Sequence, residues 1–149
     1  MRWTDAPLPS GPLLPGLHPL VAQTLIRRGV TRLESARAFL DPETYRPAPA
    51  FDLPGLPAAA ARVRKAIREG ERICVWGDFD VDGQTSTTLL VQTLYALKAD
   101  VTCHIPVRQQ ESHGINIPHL QEIIDAGAQL ILTCDTGITA HEAVEYACS

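Results

Sequence analysis

The sequence predicts an α/β fold, a parallel sheet flanked by helices and preceded by a small helical N-terminal region. Three observations carry this. From residue 58 onward, short apolar runs alternate with longer stretches of helical periodicity. Two of those helical stretches close on glycine, at Gly70 and Gly127, which separates them from the apolar runs that follow. Residues 42–57 hold five prolines, the composition of an extended connection. Strands that alternate with helices pair in parallel through right-handed crossovers. The chain therefore divides into residues 1–57, a helical region with its proline-rich linker, and residues 58–149, the sheet-bearing part.

In the first part, HPLVAQTLIRRG has apolar residues at helical spacing and ends on Gly29. TRLESARAFLD opens with Thr31 and Glu34, the spacing of a capping box. In the second part, AAAARVRKAIREG is a helix and RICVWG a short buried strand. QTSTTLLVQTLYALKA is a helix that begins just after Gly83. DVTCHI is a second strand, stopped by Pro106. IPHLQEIIDAG is a helix with Pro118 near its first turn. QLILTC is a third strand, and TAHEAVEYAC starts a last helix. Ligands of such sheets bind beyond the carboxyl ends of the strands. Asp78, Asp80 and Asp82 follow strand one, and Asp135 follows strand three, so four carboxylates converge on one edge.

Composition narrows the classes. With 149 residues, 45% hydrophobic and 20% charged, the chain is one ordinary globular domain in length. It has no apolar run long enough to span a membrane, and its proline-broken start has no signal pattern. Cys74, Cys103, Cys134 and Cys148 form no C-x-x-C pair, which favours reduced thiols in the cytoplasm over structural zinc. The net charge of −4 is uneven: residues 51–149 carry thirteen acids against seven Lys and Arg. On charge alone this is a poor nucleic-acid binder. An acidic edge holds anions only if cations sit between.

The stretch ICVWGDFDVDGQTS, residues 73–86, raises that possibility directly. A solvated turn holds one or two aspartates. Three at alternate positions repel one another, and hard divalent cations, which prefer oxygen ligands, relieve the repulsion. An EF-hand is excluded, because Leu89 stands where its bidentate Glu is needed and a strand precedes the cluster. A P-loop is excluded by Gln84 in place of lysine. A haloacid-dehalogenase-type D-x-D-G-T motif is a weak runner-up, with Gln84 inserted. Asp135 reads as a fourth carboxylate of the site or as the N-cap of the next helix. Arg108, in RQQESHGIN, reads as a surface residue or as a phosphate clamp, with Gly114 permitting close backbone approach. Ser86, with Thr85 and Thr87, caps a helix or meets a phosphate. Trp76 packs in the core or stacks on a base. His104 reads as a core or lining residue, and His113 as a loop residue or a metal ligand.

Together these residues resemble the RecJ branch of the DHH phosphoesterase family. VWGDFDVDGQTSTT is similar to its first motif. VRQQESHGIN is similar to its R-F-x-E-G-Y-G-L segment, with departures at Gln109, Ser112 and His113. LILTCDTGITAHEAV is similar to its V-D-N-G-I segment, and RAFLDPE also fits. Trp76 stands where the wider superfamily often has a ligand histidine.

The resemblance implies a 5′-to-3′ exonuclease for single-stranded DNA in recombination and repair, with two divalent ions, Mn²⁺ or Mg²⁺. It implies Asp80, Asp82 and Asp135 as metal ligands, Asp135 as the bridge, and Asp78 as a ligand or a base orienting water. Arg108, Gly114 and Ser86 would meet the substrate phosphate. Single-stranded DNA, a single-strand-binding protein and a RecQ-type helicase are the implied partners, in the cytoplasm and away from membranes. A small-molecule or nanoRNA phosphodiesterase is one alternative, though such members usually lack the preface at residues 18–40. A non-catalytic scaffold is another, though these tend to lose the aspartates. The family's Asp-His-His motif should follow soon after Glu145, and the chain stops at Ser149. The expectation is thus an N-terminal fragment with an incomplete metal site and little activity by itself.

Overall fold

The computed structural model describes residues 14–111 and 113–149. The proline-broken start and the departure at Ser112 lie outside these. The chain forms two compact units, one up to Leu53 and one from Pro54 onward.

In the first unit, α1 spans Pro19–Arg27 and α2 spans Leu33–Leu40, followed by a 3₁₀ turn at Ala50–Asp52. Proline suits the first position of α1, where its missing N–H has no intrahelical partner to lose. Ala22, Leu25 and Ala36 bury together with Leu14. The capping box expected at Thr31 and Glu34 does not form. The N-cap is Arg32, with no side-chain cap bond, so Glu34 falls one position too early for the box. Its carboxylate instead faces the Arg32 guanidinium at 3.4 Å and stays in the first turn, where the helix dipole favours an anion.

The second unit runs α3 (Leu56–Glu69), β1 (Ile73–Trp76), α4 (Val81–Ala96), β2 (Val101–His104), α5 (Ile117–Asp125), β3 (Leu130–Thr133) and α6 (His141–Cys148). α3 starts two residues before the expected Ala58, with Pro57 in its first turn, and ends on Gly70 in the left-handed conformation at φ 68°. The three strands are parallel in the order β2-β1-β3. β1 is central and wholly buried. Its side chains alternate between faces. Ile73 and Val75 pack with Ala66 of α3 and Leu94 of α4. Trp76 packs with Leu120 of α5 and Ala143 of α6. Each such buried aliphatic side chain stabilises the fold by roughly 1.5–3 kcal/mol. The result is a sheet covered on both faces, α3 and α4 on one side and α5 and α6 on the other.

At the opposite end of the sheet from the aspartates, Arg72 ties neighbours together. Its Nε lies 3.0 Å from Asp100 and its Nη1 donates to the Ala126 carbonyl at 2.7 Å. All four cysteines are free thiols. No helix among the described residues is long and apolar enough to cross a membrane.

Candidate active site

The register of the central strands sets the site. Trp76 pairs with Thr133, and the Cys134 amide continues the ladder by donating to the Trp76 carbonyl at 3.0 Å. Asp78 and Asp135 therefore stand at the same level, each two residues past a paired strand end. From β1 the chain turns to α4 on one face; from β3 it turns to α6 on the other. Two loops that diverge in this way open a crevice at the carboxyl ends of the strands, the place where open α/β sheets bind ligands.

The loop after β1 is held by close packing. The Gly77 amide donates to the His104 carbonyl at 2.9 Å. Asp80 is the N-cap of α4, its Oδ1 accepting the Gly83 amide at 2.9 Å. α4 thus begins at Val81, three residues earlier than the start expected after Gly83. Gly83 is not a breaker here. A Cβ at this position would stand 2.6 Å from the carbonyl carbon and the Cβ of Asp78, so only glycine fits the first turn beneath the loop. Thr87, buried, donates to the Gly83 carbonyl at 2.7 Å and lies 3.4 Å from Cys134 Sγ, linking α4 to the exit of β3.

The three aspartates of this loop occupy different environments. Asp78 is buried, and its Oδ1 has no hydrogen-bond partner among the described residues. A buried acceptor without a partner is costly and rare. Asp80 gives one oxygen to the cap. Asp82 is exposed in the first turn of α4, where the helix N-terminus favours an anion.

Asp135 is exposed and sits in the left-handed region at φ 58°, unusual for a residue other than glycine. Partial loss of hydration raises its carboxyl above the usual range. The negative charges of Asp80, Asp82 and Asp78 raise it further, as does a hydrogen bond shared with Asp80. The four carboxylates thus lie close enough that Asp78, Asp80 and Asp82 each act on Asp135. They converge without closing into a cage: among the described residues, no three His, Cys, Asp or Glu side chains stand in coordinating positions. Asp135 does not cap the next helix, since α6 starts at His141 with Ala140 as its N-cap.

The loop after β2 reaches the same edge. The Arg108 guanidinium lies over the Phe79 ring, 5.1 Å from its centroid, and the His113 ring lies 4.6 Å from it at a 50° tilt. Phe79 stands between Asp78 and Asp80, so Arg108 is brought next to the carboxylate loop. Gly114, at φ 94°, lines with His113, Asn116, Thr136 and His141 an open cavity of about 800 Å³. None of the four aspartates lines it. The Ser86 hydroxyl is turned into its own helix, donating to the Gly83 carbonyl at 3.1 Å. Trp76 is fully buried, so it packs rather than stacks on a ligand, and its Nε1 has no partner among the described residues.

Sequence reasoning does not single out Glu111. It is 8% exposed and accepts the Val107 amide at 3.0 Å and His104 Nε2 at 3.0 Å, with His119 Nδ1 at 3.5 Å. Burial alone would raise its proton affinity. The Val107 amide and His104, with a smaller contribution from His119, outweigh burial and hold the carboxyl below the usual range. A loop acid is ordinarily solvated, and His104 and His119 lie on other elements; the signal that could have found it is the match of Glu111 to the glutamate of the R-F-x-E-G-Y-G-L segment.

The model of the DHH family, N-terminal domain, matches residues 72–149, which include both loops and all four aspartates. The chain belongs to the DHH family. Its DHH-family relatives include the single-stranded-DNA-specific exonuclease RecJ of Bacillus subtilis (strain 168), 44% identical over 131 residues, covering 85% of this chain and 16% of the relative. RecJ of Thermus thermophilus is 42% identical over 123 residues, covering 83% of this chain and 17% of the relative. The chain spans about a sixth of the length of these two relatives. Two solved structures share the DHH-family fold. A crystal structure of exonuclease RecJ bound to manganese superposes with a TM-score of 0.63 at 41% identity, covering 68% of this chain and 26% of the other. RecJ from Thermus thermophilus in complex with Mn²⁺ gives 0.56 at 37% identity, covering 85% of this chain and 17% of the other.

Proposed function

We propose that this chain builds the metal and phosphate edge of an exonuclease that degrades single-stranded DNA from the 5′ end. The observation that carries this reading is the convergence of Asp78, Asp80, Asp82 and Asp135 on the crevice between β1 and β3. Clustered carboxylates suit Mn²⁺ or Mg²⁺, hard cations that take oxygen ligands. The buried Asp78 oxygen without a partner supplies an acceptor in waiting. Asp80, Asp82 and Asp135 would hold the ions, with Asp135 between them, and Asp78 would ligate or orient a water. Such ions, when bound, polarise a phosphodiester and make a water more acidic. The rest falls to the chain's own groups. Arg108 offers a planar donor fork to a phosphate. Gly114 lets the backbone approach closely. Ser86 can offer its hydroxyl only by giving up its bond to the Gly83 carbonyl. Bound ions would also offset the acidic charge that argues against DNA binding. Support comes from the relatives, named as single-stranded-DNA-specific exonucleases, and from the neighbours that carry manganese. A cytoplasmic location, a single-strand-binding protein and a RecQ-type helicase complete the same reading.

The test is calorimetric titration with Mn²⁺, followed by binding and digestion of a 5′-labelled oligonucleotide in single-stranded and duplex form. Asp82→Ala and Asp135→Ala should each lose Mn²⁺ binding while keeping the fold, and engagement of the single strand should require metal. Undiminished Mn²⁺ binding by both variants, or equal handling of both DNA forms in chelator, would sink the reading.

A further inference from the structure

Arg108 lies inside a turn that one residue closes twice. The Glu111 amide donates to the Val107 carbonyl at 2.8 Å, and Glu111 Oε1 accepts the Val107 amide at 3.0 Å. The second carboxylate oxygen, Oε2, lies 3.0 Å from His104 Nε2 on β2 and 3.5 Å from His119 Nδ1 on α5. His104 packs in turn on Trp76, the last residue of β1, with ring centroids 4.4 Å apart. One buried carboxylate thus fastens the turn to a strand, to a helix and, through His104, to the central strand. On the outer side of the turn, Arg108 rests on Phe79 and has no carboxylate partner among the described residues. Its N–H donors remain available to an anion.

We propose that Glu111 is a positioning residue: by closing the 107–111 turn and tying it to His104 and His119, it holds Arg108 over Phe79 with its donors free for a phosphate. This rests on the reading of Arg108 as a phosphate-binding group. Glu111 touches no substrate and acts through Arg108. A carboxylate fits the task because the Val107 amide is a donor and each imidazole can be one, and a carboxylate accepts on both oxygens. Glutamine keeps one acceptor for the Val107 amide, and its NH₂ can donate to a neutral imidazole. Leucine keeps the buried volume and accepts nothing.

The test uses NMR of the 149-residue chain. Side-chain protons of Arg108 held over the Phe79 ring are shifted upfield by its ring current. Glu111→Leu and Glu111→Ala should lose that shift together with hydrogen-exchange protection of the Val107 amide, whereas Glu111→Gln should retain most of both. With Mn²⁺ present, a 5′-labelled single-stranded oligonucleotide should bind Glu111→Leu about tenfold more weakly, the effect of leaving a charge-assisted contact unmade. Arg108→Gln separates the two claims. If it binds the oligonucleotide as the unmodified chain does, the phosphate reading of Arg108 fails, and the ring-current shift still judges Glu111. An unmoved Arg108 shift in Glu111→Leu overturns the proposal. So does loss of the whole fold in both Glu111→Leu and Glu111→Ala, because Glu111 would then hold the domain and not the turn.

Discussion

Gly83→Ala tests the packing that organises the aspartate loop, and the sign of its effect is decisive. An exposed glycine within a helix gains about 1 kcal/mol of stability when replaced by alanine. Gly83 is buried in the first turn of α4, and an added Cβ would stand 2.6 Å from the carbonyl carbon and the Cβ of Asp78. The carbonyl group belongs to the backbone, so the first turn or the loop has to move. Overpacking of this kind costs about 1–3 kcal/mol. The same movement draws the Gly83 amide away from Asp80 Oδ1, now at 2.9 Å, and with it goes the N-cap. Losing a cap costs about 1 kcal/mol, which roughly cancels the gain in helix propensity. The net expectation is a destabilisation of about 1–3 kcal/mol. The assay is urea unfolding in chelator, followed by circular dichroism, with the slope unchanged and the midpoint lowered. A midpoint equal to or above that of the unmodified chain would show that α4 does not bear on Asp78 as described. Because Asp78 and Asp80 move together, Mn²⁺ affinity should fall as well.

Asp135→Asn in chelator should raise the urea midpoint at neutral pH, because it removes a charge that the fold holds near Asp80, Asp82 and Asp78; saturating Mn²⁺ should reverse the order. A lower midpoint in chelator would show that neither lost hydration nor these neighbouring charges penalise the Asp135 carboxylate. Glu111 has its proton affinity lowered by the fold, so its contribution to stability is complete above the ordinary carboxylate range and is lost as pH falls through its folded pKa. Glu111→Gln should therefore flatten the acid limb of a thermal-unfolding series, with His104 and His119 present in both proteins; an acid limb of unchanged slope contradicts this.

The alternation of strands and helices was legible because short apolar runs and helical periodicity are local signals. The convergence of Asp78 and Asp135 followed from parallel pairing, which sends the ends of β1 and β3 to one edge. What local signals do not carry is a contact between elements. Gly83 reads as a helix breaker from its neighbours alone, yet its lack of a Cβ serves the approach of Asp78. Thr31 and Glu34 have the spacing of a capping box, but a helix start one residue later removes it. Glu111 meets His104 and His119, seven positions before it and eight after, on two other elements. No period in the sequence links them.

The displaced start of α4 bears on why three like charges are tolerated in so short a stretch. As a run of alternating aspartates, the segment suggests three equivalent ligands. In the fold they are not equivalent. Asp78 belongs to the strand end and is buried, Asp80 is a helix cap, and Asp82 rides on the first helical turn. The helix N-terminus carries a partial positive charge, and its amides are donors without intrahelical partners. By beginning at Val81 rather than beyond Gly83, α4 brings that positive end up to Asp80 and Asp82. The Gly83 amide neutralises part of the charge on Asp80 directly. Asp135 caps no helix, since α6 starts at His141 with Ala140 as its N-cap, and lost hydration together with the neighbouring carboxylates raises its proton affinity. A helix terminus thus offsets part of the repulsion at Asp80 and Asp82, and Asp135, which meets these charges without capping a helix, is where a cation would gain most.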